Sequence, residues 1–176
     1  MSSLLDAPAI LEVLVRHRVD FVLIGGYAAN LQGSPHLTTD IDISPAQTRA
    51  NYDRLSAALV ELDARVRADG TEPLPFSHDG DSLADVAVWN LTTRFGDLDI
   101  STVPSGTDGF PDLRRDALTM KVRGVAVQVA SLADIVRSKA AAGRAKDKLV
   151  LPTLRELVSE ETKARAESRR RKPREL

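Results

Sequence analysis

The segment Phe21 to Ile43, FVLIGGYAANLQGSPHLTTDIDI, decides the fold of this chain. Phe21-Val22-Leu23-Ile24 has the length and β-branched content of a buried strand. Gly25 and Gly26 then open a short segment of helix-forming type, Tyr27 to Leu31, which Gly33-Ser34-Pro35 ends. A second strand-like run, Thr38 to Ile43, carries Asp40 and Asp42. Strand side chains alternate between faces, so Asp40 and Asp42 face one way, about 6–7 Å apart, while Ile41 and Ile43 face a core. Two carboxylates on one face of a half-buried strand repel each other and resist burial. A divalent cation between them removes that cost, and Mg²⁺ takes hard carboxylate oxygens together with substrate phosphates.

Outward from this segment the chain alternates helical and extended patterns. Before it, Leu4, Leu5, Ile10, Leu11, Leu14 and Val15 form a helical stripe that starts near Asp6 and Pro8. After it, Ser44-Pro45 reads as an N-cap with proline at the first helical position, opening a helix to about Val66. Residues 69–82 read as a loop. Val86–Thr93 and Asp97–Thr102 flank a Gly-containing turn and predict a hairpin. Residues 103–113 are again loop. Met120–Val122 and Val125–Val129, about Arg123-Gly124, predict a second hairpin. Ser131 is placed to cap a helix interrupted at Gly143. A last helical stretch holds Leu149, Leu151, Leu154 and Leu157, with Pro152 marking a break. From Glu160 the apolar residues cease, and EETKARAESRRRKPREL predicts a frayed helix or disorder. The pattern describes an α/β (α+β) chain: a small mixed β-sheet with flanking helices. It divides at 1–158 and 159–176, a domain followed by a charged, flexible tail.

The chain has 176 residues, enough for one real core, and a net charge of −1, which selects no partner class. It has no cysteine, which removes disulfides and thiolate metal sites and suits a cytoplasmic protein. No run approaches the ~20 apolar residues of a membrane span. Aromatics at 4% argue against a broad base-stacking platform. His17, His36 and His78 lack metal-ligand spacing.

Several groups suit chemistry. Gly25 and Gly26, at a strand-to-helix turn, let backbone N–H groups approach a phosphate. Alone they would read as a tight turn; the Asp pair that follows favours the phosphate. A third carboxylate would come from a neighbouring strand about 4.8 Å away, where Asp97 and Asp99 share a face. Lys139, Arg144, Lys146 and Asp147 form a late charged cluster whose bland reading is a solvated helix face.

The strand, the Gly25-Gly26 pair opening a short helix, and Asp40-Ile41-Asp42 on the next strand resemble the nucleotidyltransferase superfamily, whose fold is shared with DNA polymerase beta. Gly26-Tyr27-Ala28, Gln32-Gly33 and Thr39-Asp40-Ile41-Asp42 resemble its small bacterial abortive-infection subgroup, which includes toxins of toxin–antitoxin pairs. His36 stands where that subgroup commonly has arginine. The resemblance extends roughly to Leu157. It implies a Mg²⁺-dependent enzyme with two metal ions that moves a nucleotidyl group from a nucleoside triphosphate, ATP among the candidates, to an acceptor hydroxyl. Asp40, Asp42 and Asp99 would bind metal, Asp99 being the better match in Gly96-Asp97-Leu98-Asp99, with Asp97 a turn residue. Lys139, Arg144 and Lys146 would hold the triphosphate. Asp147 would bind substrate or orient Lys139. The acceptor implied is RNA, such as a tRNA 3′ end, and the partner an antitoxin protein. The rivals are transfer to a small molecule, as in antibiotic adenylyltransferases, or to a protein side chain, and a non-catalytic module of the same fold. All three acids are present, which argues against the last.

Overall fold

The computed structural model describes residues 4–68 and 70–171. A seven-stranded mixed sheet forms the centre: β1 (Phe21–Ile24), β2 (Asp40–Pro45), β3 (Arg65–Val66), β4 (Val88–Thr93), β5 (Gly96–Ser101), β6 (Leu118–Val122) and β7 (Val125–Val129). Its order is β3-β4-β5-β2-β1-β7-β6. β2 lies antiparallel to β1 and parallel to β5, so the Asp-x-Asp strand is central. Ile41, Ile43, Leu98 and Ile100 are buried on the other face, packed with Leu11, Leu14, Leu55 and Leu59. Alternation alone then puts Asp40, Asp42, Asp97 and Asp99 together on the open face.

Among the described residues seven helices flank the sheet: α1 (Ala7–Arg16), α2 (Gly25–Asn30), α3 (Arg49–Glu61), α4 (Gly80–Ala84), α5 (Phe110–Arg115), α6 (Leu132–Ala142) and α7 (Ala145–Arg171). The Asp6 carboxylate accepts from the Ala9 N–H to cap α1, and Ser131 caps α6 through the Asp134 N–H. Gly143, at φ 62°, turns the chain between α6 and α7.

Four expectations are corrected. Ser44-Pro45 does not cap a helix. Both residues finish β2, paired with Val22 and Phe21, and the buried Ser44 hydroxyl donates to the Thr102 carbonyl. Thr48 is the cap, accepting from the Asn51 N–H. Second, α3 ends at Glu61 rather than near Val66, because Asp63 takes φ 50° and the Asp63 and Ala64 amides bond back to Val60 and Leu59. The chain beyond becomes the edge strand β3. Third, α4 and α5 occupy parts of the two expected loops. Fourth, α7 runs through Pro152 without ending, as far as Arg171. Packing of Leu151, Leu154, Leu157 and Val158 on the core outweighs the one backbone bond that Pro152 removes. Lys172 and Arg174 lie outside the described residues.

Candidate active site

Register builds the acidic floor of the site. β2 and β5 pair Asp40 with Asp97 and Asp42 with Asp99. One oxygen each from Asp40, Asp42 and Asp99 lie within 4.8 Å of one another. Asp97 is not a turn residue; it sits in β5, where it accepts from the Thr92 hydroxyl at 2.8 Å and pairs with Arg67. Those two partners commit Asp97, which leaves Asp99 as the third acid of the floor. The Thr38 hydroxyl donates to Asp40 Oδ1 at 3.0 Å.

Burial, with the neighbouring Asp40 and Asp99 charges, pushes the Asp42 carboxyl up to about 7. Burial raises Asp99 to about 6, against the opposing Arg67 guanidinium, whose Nη2 lies 2.7 Å from Asp99 Oδ1. Three hard carboxylate oxygens, two of them held at a raised pKa by desolvation and mutual repulsion, are a donor set that fits a divalent cation such as Mg²⁺.

The glycines fit tightly against this floor. Gly25 has φ 72°, and a Cβ there would stand 2.0 Å from Asp42 Oδ2. A Cβ on Gly26 would stand 2.7 Å from the Thr38 hydroxyl oxygen. A side chain at Gly25 would therefore displace the carboxylate that the motif depends on.

Opposite the floor stands a basic wall. Lys139, on α6, reaches Asp147 Oδ1 at 3.2 Å, and Arg144 Nε reaches Asp147 Oδ2 at 2.7 Å. Asp147 is fully buried. Burial alone would raise its carboxyl, but the Arg144 and Lys139 hydrogen bonds hold it below the usual carboxylate range. Gly25, Gly26, Asp40, Asp42, Asp99, Lys139, Arg144 and Lys146 all line one cavity of about 520 Å³. Asp147 stands behind that lining and fastens the two cations. His36 also lines the cavity, its backbone carbonyl held by Asn30 and its Nε2 buried with no hydrogen-bond partner among the described residues.

Arg67 and Asn90 carried no signal in the sequence. Arg67 lies in a stretch that reads as the end of a helix. Asn90 enters the cavity lining because β4 pairs it with Asp99, a register that composition does not disclose.

No family model and no curated protein matches the chain. Solved structures do. TM1012 of Thermotoga maritima, assigned to the nucleotidyltransferases, superposes with a TM-score of 0.53 at 21% identity, over 86% of this chain and 89% of that one. The lincosamide antibiotic adenylyltransferase LnuA, in its lincomycin-bound structure, superposes with a TM-score of 0.58 at 12% identity, over 88% of this chain and 99% of that one. The fold is that of the nucleotidyltransferases. Within this nucleotidyltransferase fold the chain has its acids on the two central strands β2 and β5 and its cations on α6 and at the start of α7. Among the described residues no helix is long and apolar enough to cross a membrane.

Proposed function

We propose that the protein is a Mg²⁺-dependent nucleotidyltransferase that moves a nucleoside monophosphate from a nucleoside triphosphate to an acceptor hydroxyl, breaking the α–β phosphoanhydride bond and releasing pyrophosphate. The observation that carries this reading is the convergence of Asp40, Asp42 and Asp99 across one cavity from Lys139, Arg144 and Lys146. Acids hold cations and cations hold a triphosphate; a cavity with both, and a volume in the range of small-ligand sites, suits a metal–nucleotide substrate.

Asp40, Asp42 and Asp99 would hold Mg²⁺, two ions in the full complex. The bound metal would neutralise phosphate charge and lower the pKa of the attacking hydroxyl. Lys139, with Arg144 and Lys146, binds the triphosphate oxygens, and Asp147 fixes the Lys139 amine and the Arg144 guanidinium at set positions before substrate arrives. The Gly25 and Gly26 backbone admits the phosphates close to β1. Asp99 Oδ2 receives the acceptor proton, while Arg67 on Oδ1 keeps that carboxylate oriented.

For the acceptor we favour RNA, a tRNA 3′ end, with the enzyme acting as the toxin of a toxin–antitoxin pair in the cytoplasm. The Gly-Gly and Asp-x-Asp spacing and the late Lys-to-Asp run support this. The fold similarity to LnuA favours a second reading, in which the acceptor is a small hydroxylated molecule. The test is incubation with each α-labelled triphosphate, Mg²⁺, and total RNA, total protein or lincosamides in turn. Label on tRNA-sized RNA, absent with Asp42→Asn, is the expected result. Label on a lincosamide selects the second reading. A folded protein that labels nothing, or labels equally well as Asp42→Asn, overturns the assignment.

A further inference from the structure

The cavity extends past the acids, and its far end has a different chemistry. β4 lies outside β5, and its register sets Asn90 opposite Asp99 and Val88 opposite Ser101. Directly opposed residues share a face of the sheet, so all four line the cavity beside Asp42. Ser105 joins them from the loop after β5, and Ser138 from α6, one residue before Lys139. Gly106 fixes that loop on α6. At φ 69°, a Cβ there would stand 2.7 Å from the Ala141 Cβ and 3.1 Å from the Arg137 carbonyl oxygen.

Nearby hydroxyls are committed. Thr92 donates to Asp97, Ser44 to the Thr102 carbonyl and Ser131 to Asp134. Among the described residues, the side chains of Asn90, Ser101, Ser105 and Ser138 make no hydrogen bond, although all four line the cavity. The lysines and arginines of the lining stand elsewhere: Lys139 on α6, Arg144 at the turn after it and Lys146 on α7. Arg67, beside the β4 end, is paired with Asp97 and Asp99.

This end therefore offers groups that both donate and accept, without a free cation. A phosphate only accepts, whereas amides and hydroxyls match the donor and acceptor of a sugar hydroxyl. Position decides which substrate enters here. The attacking and leaving oxygens stand roughly in line about the transferred phosphorus. With the triphosphate over Gly25 and Gly26 at the end of β1, the order β1-β2-β5-β4 puts the attacking oxygen on the β4 side.

From this arrangement we infer that Asn90, Ser101, Ser105 and Ser138 form the acceptor subsite, and that it takes the uncharged vicinal diol of a sugar, with Val88 against its carbon skeleton. One hydroxyl oxygen bonds to the α-phosphorus, its proton passes to Asp99, and the α–β bridge breaks to release pyrophosphate. The second hydroxyl is held by the amide and the serines. The diol belongs either to the last ribose of an RNA or to a free glycoside. The inference rests on the transfer reading for its chemistry and narrows the acceptor; binding is measured without turnover.

The experiment compares the full chain with Asn90→Ala/Ser101→Ala and with a control, Ser159→Ala/Ser168→Ala, on the exposed side of α7. Each is loaded with Mg²⁺ and the tightest-binding of the α,β-methylene ribonucleoside triphosphates. Three ligands are then titrated by NMR: an RNA dinucleotide, the same dinucleotide with a 2′,3′-dideoxy end, and methyl β-D-ribofuranoside. The parent is expected to bind the RNA dinucleotide about tenfold more tightly than the dideoxy one. The double variant is expected to lose about tenfold for the diol ligands, from two hydrogen bonds, and to keep its affinity for the triphosphate analogue. The control is expected to bind like the parent. Equal binding of diol and dideoxy ends overturns the inference, as does a double variant that binds diols like the parent. Loss of triphosphate affinity in the double variant overturns it too, since the groups would then hold the nucleotide's own ribose. A dinucleotide that binds more tightly than the ribofuranoside identifies RNA as the source of the diol, and the reverse order a free sugar. Transfer of label is followed in parallel. A parent that discriminates between the diol and dideoxy ends yet transfers nothing keeps the subsite and counts against the transfer reading.

Discussion

The two walls of the cavity hold charge in opposite ways. On the strand side, Asp40, Asp42 and Asp99 face one another, and the carboxyls of Asp42 and Asp99 are pushed up to about 7 and about 6 by burial and mutual repulsion. On the helix side, Lys139 and Arg144 share the buried Asp147, whose carboxyl is held below its usual range. The acidic wall carries unrelieved repulsion; the basic wall is already neutralised by Asp147. A metal site must leave its donors available, whereas a phosphate site must hold its donors still. Strands and helices meet these needs differently. The β2–β5 register forces the Asp40, Asp42 and Asp99 carboxylates together, with Arg67 reaching Asp99 from β5's far side, while the α6–α7 turn at Gly143 brings a counter-ion under the cations.

Breaking the acidic wall should have the largest effect. Asp42→Asn is expected to lower transfer by roughly a thousandfold or more while raising the melting temperature of the metal-free protein, since it deletes a ligand and relieves repulsion. Steady-state rates and thermal unfolding in EDTA check both halves; a fall in both would contradict the contrast between the walls. On the basic wall, Lys139→Ala is expected to cost about 10²–10³ in rate and also to lower stability, because it takes one of two cationic partners from the buried Asp147 carboxylate. Asp147→Asn should cost about ten- to a hundredfold in rate, and also about 1–3 kcal/mol of stability, because it leaves the cations it fastened without their counter-charge. If Asp147→Asn proved harmless to both, the wall would not be pre-set.

The pH dependence sharpens the comparison. Asp42 and Asp99 titrate higher in the folded chain than in the unfolded one, so their stabilising contribution is complete below the ordinary carboxylate range near 3.8 and disappears as pH rises through about 6 and about 7. Asp147 acts in the opposite sense, contributing above its ordinary range and losing that contribution on acidification. Between pH 5 and pH 8 in EDTA the acidic wall dominates. Stability is expected to fall by about 2–4 kcal/mol, and Mg²⁺ at pH 8 should recover it. A clearly shallower profile in Asp42→Asn, with the Asp99 part centred near pH 6 retained, would tie the slope to this wall when measured by calorimetry. The smallest effect is expected at Arg67. Arg67→Gln removes both an orienting partner and a rival cation from Asp99, so metal affinity should shift by less than about tenfold. A hundredfold change in Mn²⁺ affinity would make Arg67 part of the metal machinery.

Much of this architecture was readable from local chemistry. Phe21–Ile24, Asp40–Ile43 and Val125–Val129 are β-branched or alternating runs whose pattern is the structure. Asp6 and Ser131 cap helices through a bond that their residue type announces. The errors arose where tertiary partners decided. Ser44-Pro45 has the residues of a helix start, yet sheet pairing with Val22 and Phe21 holds both in β2. The end of α3 lacks a glycine, and Asp63 takes the left-handed turn in its place. Pro152 suggests a break that core packing overrides. Within the site, the facing carboxylates were legible because period two is enforced by the strand. From the residues alone the Lys139–Asp147–Arg144 couple was legible only as a charge run, and it was the family resemblance that implied Asp147 orients Lys139, since the contact depends on a fold-back at Gly143. Arg67 was invisible, because its contact runs from the residue after β3 to β5 and no spacing encodes it.

The β2–β5 pairing also sets a sequence of events in time. Asp42 and Asp99 stand 57 positions apart along the chain, and Asp147 follows Asp99 by a further 48. No hairpin or single helix contains two walls of the cavity, so nothing local can rehearse it. Closing such long loops is slow compared with forming α1 or the β6–β7 hairpin. During synthesis, the growing chain must emerge past α6 and the first turn of α7 before acids and cations can face each other. A chain arrested earlier could fold β1 to β5 and collect its carboxylates, yet would meet a triphosphate with no cation opposite. The cavity is therefore complete only once α6 and the first turn of α7 have packed opposite β2 and β5.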